Sequence, residues 1–368
     1  MTTCGRPERV RILVISNLYP SPAHPAFGTF VEARVAALRA LGVDVRVVAN
    51  RDPVVHRRIV GKYASLAWAT GLAAIGARLG GQHVDIVEAH IAYPTGLVAR
   101  PAARLVGAPL VLFSHGADVL AIPTRSARHA RLARSTYGAA ALIVANSRFL
   151  AGEIARGYPN VADRVRVLSP GIDVERFTAD STVSRSGVLF VGRLIPEKGA
   201  DVLIRAMAAS SASRGGNPAG RLTVIGDGPE RGKLEALAVA SHVDLDIRGD
   251  VGRAAVADAM RGAAVVVVPS VYREPLGLVA IEAMACGAIV VASATGGLVE
   301  TVVDGVTGLA VAPGDIEGLA VAIGRATEIS RDPVAGAAMR AAGHAMASAH
   351  DVRRSAADSI ALYGTLRR

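Results

Sequence analysis

Two glutamates eight residues apart, Glu274 and Glu282, flank and follow a Pro-Leu-Gly-Leu turn at 275–278. The turn comes after the apolar run 263–269 and leads into a second apolar stretch, which indicates a strand followed by a helix. The amino end of a helix carries unpaired backbone N–H groups and partial positive charge, and it therefore suits a phosphate. Carboxylates on either side can accept hydrogen bonds from sugar and ribose hydroxyls, an arrangement that fits a nucleotide sugar.

Glutamates at this spacing also occur on the solvated face of an ordinary helix, and that alternative stays open. The setting of Glu282 favours a ligand, because a lone carboxylate in so apolar a segment is costly to bury without a partner.

A second pair of residues suits the same anionic ligand. Arg193 and Lys198 lie in a Gly-bounded loop after the apolar run 188–191 and ahead of a predicted helix at 201–210. Arginine can hold a phosphate with its planar fork, and lysine adds a compact point charge. Both could instead be solvated loop cations.

The totals favour a globular protein with anionic partners. At 368 residues the chain is long enough for two domains, and its hydrophobic content of 51% excludes general disorder. The net charge of +10 suits nucleotides, phosphorylated acceptors or an anionic membrane surface. Aromatic residues make up only 4% of the chain, which argues against nucleic acid as a partner.

The localisation expected from the sequence is cytoplasmic, with the inner face of the membrane as a further possibility. The two cysteines, Cys4 and Cys286, do not form a disulfide pattern, and the first nine residues contain no secretory signal. The apolar segment 64–77 is too short to span a bilayer; it could lie on a membrane surface, although a core helix is the alternative.

Short apolar strands alternate with helical segments throughout, which predicts an α/β protein with doubly wound parallel sheets. The predicted strands are 11–15, 43–49, 84–89, 109–113, 140–145 and 165–168, then 187–191, 221–226, 245–249, 264–269, 288–292 and 308–311. We expect two Rossmann-like domains, 1–178 and 179–345. A helical tail at 346–368 is expected to follow them.

Taken together, the motifs resemble the retaining glycosyltransferases of family 4, over nearly the whole chain. The resemblance rests on the loop 19–30 with Gly28, on His115-Gly-Ala-Asp118, on Gly192 to Gly199, on Gly226-Asp-Gly-Pro and on Glu274 to Glu282. It implies the GT-B fold, in which two Rossmann-like domains with parallel sheets face each other across a cleft, with 1–178 for the acceptor and 179–345 for the donor. It also implies that the helical tail at 346–368 packs back on the first domain.

The resemblance also implies roles for individual residues. The donor diphosphate would contact Gly28, Arg193, Lys198, Leu276, Gly277 and Leu278. Glu274 and His115 would be catalytic residues at the transferred sugar. The nucleoside would contact Val251 and Glu282. Phe27-Gly28-Thr29 departs from the paired glycines of many relatives, which leaves the phosphate contact of the first loop open.

The expected reaction transfers a hexose-type sugar from a UDP- or GDP-sugar, with retention of configuration, to a hydroxyl of an unidentified acceptor. No metal or other cofactor is expected, because cations and helix amino ends can stabilise the leaving diphosphate. The acceptor could be anionic or lipid-linked. The alternatives are a catalytically inactive nucleotide-sugar-binding subunit, a phosphorylase and a nicotinamide dehydrogenase, the last of which lacks Gly-x-Gly-x-x-Gly after the first strand.

Overall fold

The chain divides into two compact units, each built on a parallel sheet. The computed structural model describes residues 10–24, 27–51, 59–214 and 220–366, so Cys4 lies outside the described residues. Unit 1 combines Met1–Gly171 with Val352–Arg368, and unit 2 is Ile172–Asp351.

Unit 1 contains a six-stranded sheet in the order β2-β1-β3-β4-β5-β6. The two central strands β3 and β4 are buried at every position, which is typical of parallel strands covered by helices on both faces. The strands are β1 (Arg11–Ser16), β2 (Asp44–Ala49), β3 (Ile86–His90), β4 (Leu110–Ser114), β5 (Leu142–Ala145) and β6 (Val165–Val167). The helices between them are α1 (Thr29–Ala40), α2 (Ile59–Leu79), α3 (Ala92–Val106), α4 (Ala117–Leu120), α5 (Ala127–Gly138) and α6 (Arg148–Gly157).

Unit 2 repeats this plan with a second parallel sheet, in the order β12-β11-β10-β7-β8-β9. Its strands are β7 (Ser186–Val191), β8 (Leu222–Ile225), β9 (Leu245–Ile247), β10 (Ala263–Val268), β11 (Ile289–Ser293) and β12 (Leu309–Val311). Its helices are α7 (Ala200–Arg214), α8 (Arg231–Ala240), α9 (Arg253–Gly262), α10 (Leu278–Ala285), α11 (Leu298–Thr301), α12 (Ile316–Arg331) and α13 (Pro333–Ala349).

The chain then returns to unit 1 as α14 (Val352–Gly364), which packs against α1. The helices of unit 1 cover both faces of its sheet. One buried cluster joins the sheet to α2, α3, α5 and α6, and the other joins it to α1 and α14. The sheet whose strand ends lead into the His115 loop is therefore packed against helices on both faces.

The observed divisions at 171/172 and 351/352 lie a few residues from those expected at 178/179 and 345/346. Residues 172–177 belong to unit 2 because the Ile172 N–H donates to the His350 carbonyl oxygen and the Phe177 side chain is buried in that unit. The tail predicted from the sequence as one helical stretch is broken at 350–351, where α13 has ended and α14 has not begun.

Candidate active site

Glu274 is held by three side chains in the loop that follows β10. The residue is only 5% exposed. Its Oε1 accepts hydrogen bonds from Ser270 Oγ at 2.6 Å and from Lys198 Nζ at 2.5 Å, and its Oε2 accepts one from the Tyr272 hydroxyl at 2.8 Å. The carboxylate is thus fixed in one orientation before any ligand is bound.

The sheet brings Lys198 and Glu274 together from distant parts of the sequence. Lys198 ends a short 3₁₀ turn, Pro196–Lys198, in the loop after β7. β7 and β10 are parallel neighbours, so their carboxyl ends lie side by side. Ligands of open parallel sheets bind at these ends, which is where the sequence places the predicted diphosphate and sugar contacts.

Arg193 lies close enough to this cluster to influence Tyr272 electrostatically. Burial raises the pKa of the Tyr272 hydroxyl, and the charge of Glu274 raises it further, while the charge of Arg193 opposes the shift. Tyr272 therefore remains protonated and acts as a hydrogen-bond donor. Arg193 itself is exposed, as expected of a cation that is to meet a soluble anion.

The turn at 275–278 leads into α10 as predicted. Gly277 precedes the helix with φ +90°, and a Cβ at this position would lie 2.3 Å from Leu298 Cδ2. Only glycine accommodates both the left-handed backbone and the close contact. Leu276 is buried below the turn, and the first N–H groups of α10 have no acceptor within their own helix.

Glu282 lies inside α10 and is paired with a residue that the sequence did not point to. The residue is 5% exposed, and Arg253 Nη2 donates to its Oε1 at 2.8 Å. Burial raises the pKa of Glu282, and Arg253 counteracts the shift. Val251 lies two residues before Arg253 and packs against the same core cluster as α10. The two residues predicted to contact the nucleoside are thus both placed near the start of α9, since Val251 precedes Arg253 by two residues and Glu282 accepts from Arg253.

In unit 1, the loop that carries His115 is organised by the buried Asp118. Asp118 accepts hydrogen bonds from the backbone N–H groups of His115, Gly116 and Ala92, at 3.1, 2.9 and 2.8 Å. Burial raises the pKa of Asp118 to about 6, and the three backbone donors limit the shift. The aspartate fixes the backbone position of His115.

A buried chain of side chains ends on the His115 ring. Arg34 pairs with Glu88 at 3.0 Å, Glu88 Oε2 contacts His90 Nε2 at 3.3 Å, and His90 Nδ1 contacts His115 Nε2 at 3.1 Å. The Arg34 guanidinium also donates to Ser359 Oγ at 2.8 Å and to the Tyr363 hydroxyl at 2.9 Å, both on α14. α14 therefore supports the Arg34 end of this buried chain of side chains.

The protonation states of Glu88 and His90 in this buried chain of side chains determine the tautomer of His115. Burial raises and Arg34 lowers the pKa of Glu88, with a net result of about 2, so Glu88 is an acceptor only. Nε2 of His90 must then carry the proton. Burial lowers the pKa of His90, so its ring is neutral at pH 7 and Nδ1 accepts. His115 consequently donates through Nε2–H, and Nδ1 is its acceptor nitrogen.

Burial is also the first cause that lowers the pKa of His115, well below its usual range, followed by His90 and Arg34. The ring is therefore neutral at pH 7. It packs against Phe30, with ring centroids 4.7 Å apart. A neutral, oriented imidazole with an acceptor nitrogen suits a hydrogen bond from a hydroxyl group.

Gly28 has a structural requirement that is independent of any ligand. It precedes α1 with φ +74°, and a Cβ would lie 2.6 Å from the Leu18 carbonyl carbon. A side chain here would push apart the loop and the helix that follow β1. Its predicted contact with a diphosphate stays a prediction.

Several residues of the site were missed by sequence reasoning: Arg34, Glu88, Arg253, Ser270 and Tyr272. Glu88 carried a signal, since a carboxylate within an apolar strand needs a partner. Ser270 and Tyr272 lie within four residues of Glu274 and also could have been found. Arg34 and Arg253 lie far from their partners in the sequence, and only the fold reveals them. Among the described residues, no three His, Cys, Asp or Glu side chains are grouped so as to hold a metal ion.

Comparison with known proteins identifies the family. Residues 28–176 match the family described as Glycosyltransferase Family 4, and residues 174–336 match the family Glycosyl transferases group 1. The D-inositol 3-phosphate glycosyltransferase of Frankia alni is 36% identical over 310 residues, which are 74% of this chain and 74% of the relative. The chain belongs to glycosyltransferase family 4.

A further relative and two solved structures are also similar to this chain. A D-inositol 3-phosphate glycosyltransferase of Actinosynnema mirum is 33% identical over 370 residues, covering 89% of this chain and 87% of the relative. Anabaena HepE, solved in complex with UDP and glucose, is similar with TM-score 0.76 and 21% identity, over 97% of this chain and 100% of that chain. Sucrose-phosphate synthase from Thermosynechococcus elongatus has TM-score 0.80 and 24% identity, over 97% and 99%. These likenesses and the two parallel sheets confirm the α/β fold of GT-B type, and this family 4 member is a glycosyltransferase.

Proposed function

We propose that the enzyme transfers a hexose-type sugar from a nucleoside-diphosphate sugar to a hydroxyl of its acceptor, with retention of configuration and without a metal ion. The observation that carries the proposal is the Lys198–Glu274 pair, formed between the loops that follow the neighbouring strands β7 and β10. It places a positive charge beside a preorganised carboxylate at the edge where parallel sheets bind ligands.

The residues of unit 2 supply what this reaction needs. Negative charge accumulates on the departing diphosphate as the glycosidic bond breaks. Lys198, Arg193 and the first N–H groups of α10 stabilise that charge without reorganising. Glu274 accepts a hydrogen bond from a hydroxyl of the transferred sugar on the lone pair that its three protein donors leave free. The nucleoside lies at Val251 and Glu282, where Oε2 of Glu282 accepts from the ribose.

In this proposal His115 is the catalytic residue of unit 1. Its neutral ring offers Nδ1 as an acceptor for one hydroxyl of the reacting sugar, and Gly28 keeps the first loop free of a side chain beside the diphosphate. No protein group is assigned as a nucleophile. The departing phosphate itself receives the proton of the attacking hydroxyl, so the new bond forms on the face from which the old one breaks.

UDP is the nucleotide that we favour, with GDP as the alternative. The support for UDP is that a protein of the same fold, HepE, was solved with UDP and glucose. For the acceptor, the names of the relatives favour an inositol phosphate or another phosphorylated alcohol, and the net charge of +10 is consistent with an anionic substrate.

The test is an acceptor-dependent transfer assay. The enzyme is incubated with each of several UDP- and GDP-sugars and a panel of inositol phosphates, sugar phosphates and neutral polyols, with EDTA present. Release of nucleoside diphosphate that depends on acceptor, and an anomeric proton coupling equal to that of the donor, would support the proposal. An inverted product would refute retention. Nucleotide-sugar binding without transfer to any acceptor would favour an inactive binding subunit.

A further inference from the structure

The outer surface of α2 carries an apolar stripe that the core of unit 1 does not use. Trp68, Leu72, Ile75 and Leu79 are 71%, 53%, 45% and 84% exposed. Their spacing of four, three and four residues aligns them along one side of the helix. The opposite side of α2 is buried, with Leu66, Ala73 and Ala77 in the core of the unit. A contiguous exposed stripe of this kind marks an interaction surface.

The helices packed beside α2 give this surface a strong positive charge. α2 contacts α3, and α3 contacts α5, so the three helices form a continuous layer on one face of the sheet. Over their described lengths they contain no aspartate or glutamate. They contain seven basic residues: Lys62, Arg78, Arg100, Arg104, Arg128, Arg131 and Arg134. Five of these, the exceptions being Lys62 and Arg100, are exposed.

We propose that the α2–α3–α5 face docks on an anionic lipid bilayer. The apolar stripe enters the boundary between headgroups and acyl chains, where tryptophan is preferred, and the arginines contact lipid phosphates. The proposed contact is with the bilayer surface; none of the described helices is both long and apolar enough to cross a membrane. This docking is independent of the proposed transfer chemistry.

Charge decides between this occupant and a second copy of the chain. Two copies packed through this face would bring arginines against arginines without a single acidic partner from the three helices. A bilayer rich in anionic lipid instead supplies the opposite charge over the whole face, and it covers the apolar stripe as well. A nucleic acid would match the arginines but would leave Trp68 and its apolar neighbours uncovered.

The position of Trp68 makes the proposal directly measurable, because it is the chain's one tryptophan. Vesicles of phosphatidylcholine mixed with phosphatidylglycerol are added to the full-length protein, and the fluorescence is compared with that in pure phosphatidylcholine vesicles and in soluble glycerol phosphate. A blue shift that occurs only with the anionic vesicles, together with quenching by brominated acyl chains, is expected. Salt that shortens the screening length to about 3 Å should weaken binding. No blue shift with anionic vesicles, or the same shift with neutral ones, would overturn the proposal.

Variants measured by vesicle co-sedimentation separate the apolar and electrostatic contributions. Trp68→Ser should weaken binding about tenfold or more. Arg128→Glu together with Arg131→Glu should weaken it by about fivefold for each positive charge removed. The matched controls are Val239→Ser, which changes a residue 77% exposed on α8, and Arg325→Glu, on an exposed position of α12; both should leave binding unchanged.

All variants should keep the thermal stability of the parent and its activity on a soluble acceptor, so failure of docking is distinguishable from failure of the enzyme. Equal binding by Trp68→Ser and the parent would contradict the proposal. A dimer in sedimentation velocity that Trp68→Ser abolishes would also contradict it, because that result assigns the face to a second copy.

Discussion

Replacing Glu274 with alanine removes the carboxylate on which Lys198, Ser270 and Tyr272 converge. In the proposed mechanism this carboxylate also accepts a hydrogen bond from a hydroxyl of the sugar being transferred. It does not touch the base or the ribose, which are assigned to Val251 and Glu282. The substitution should therefore separate the chemistry from nucleotide binding.

The magnitude follows from the number and kind of hydrogen bonds lost. A hydrogen bond to a charged group contributes about 1.5–3 kcal/mol, and about 1.4 kcal/mol corresponds to a tenfold change in rate. The three protein donors leave about one of the four lone pairs of the carboxylate free, so one sugar hydroxyl bound to Glu274 in the transition state predicts a fall in kcat of about 10- to 10²-fold. Lys198, whose side chain is 23% exposed, loses its ion-pair partner, so we expect a loss of stability of about 1–3 kcal/mol as well.

The assay combines initial rates of sugar transfer with calorimetric titration of the nucleoside diphosphate. The affinity for the diphosphate should change by less than about threefold, which corresponds to well under 1.4 kcal/mol. Glu197→Ala is the matched control, because this glutamate is exposed on the same short turn as Lys198 and adjacent to it. Equal losses of diphosphate affinity and kcat in Glu274→Ala, or a rate like that of Glu197→Ala, would refute the assignment of Glu274 to the sugar.

The other predictions concern the buried chain in unit 1 and the absence of a metal requirement. Glu88→Gln should lower the free energy of unfolding in urea by about 3–5 kcal/mol, because Arg34 is left charged and buried. The control Asp44→Asn, which breaks an exposed pair with Arg11, should change it by less than about 1 kcal/mol. Equal effects of the two variants would contradict the structure. The pKa of Glu88 in the folded protein is about 2, below its ordinary value of 4.5. The contribution of Glu88 to folding stability should therefore be complete above pH 4.5 and be lost as the pH falls toward 2. A Glu88→Gln variant with the acid-unfolding profile of the parent would count against this prediction. His90→Phe should lower kcat about tenfold with little change in donor KM, and it should change the ¹⁵N signature of the His115 tautomer. His90→Asn should retain most activity, because its amide oxygen replaces Nδ1 as the acceptor. Identical behaviour of the two variants would contradict a positioning role for His90. Transfer should persist in excess EDTA, and activity restored only by a divalent cation would refute the metal-free mechanism.

The alternation of strands and helices was predictable because parallel strands buried on both faces are short, continuous apolar runs. All twelve strands were located within a few residues, from β1 at Arg11–Ser16 to β12 at Leu309–Val311. The order of the strands and the return of α14 to unit 1 depend on tertiary packing, and only the resemblance to the family suggested the second. The break at 350–351 was missed, although Asp351 comes directly before α14 and aspartate is favoured in that position.

The site was predictable where chemistry and sequence position coincide. Glu274, Lys198 and the turn at Gly277 each follow a strand, so the topology of a parallel sheet brings them to one edge. The partners that hold them depend on side-chain geometry. Arg253 reaches Glu282 from the start of another helix, and Arg34 reaches Glu88 from α1.

The central claim is that unit 2 binds a nucleoside diphosphate through Lys198, and a thermal-shift panel tests it most directly. UDP, GDP, dTDP, ADP and NAD are each added with EDTA to the parent, to Lys198→Met and to Lys233→Met, a lysine that pairs with Glu230 on the surface. A ligand at a hundredfold excess over its Kd stabilises the native state by about 2.7 kcal/mol. We predict a selective upward shift with one nucleoside diphosphate, UDP before GDP, which Lys198→Met reduces and Lys233→Met preserves. No shift with any diphosphate, or a shift with NAD alone, would contradict the account.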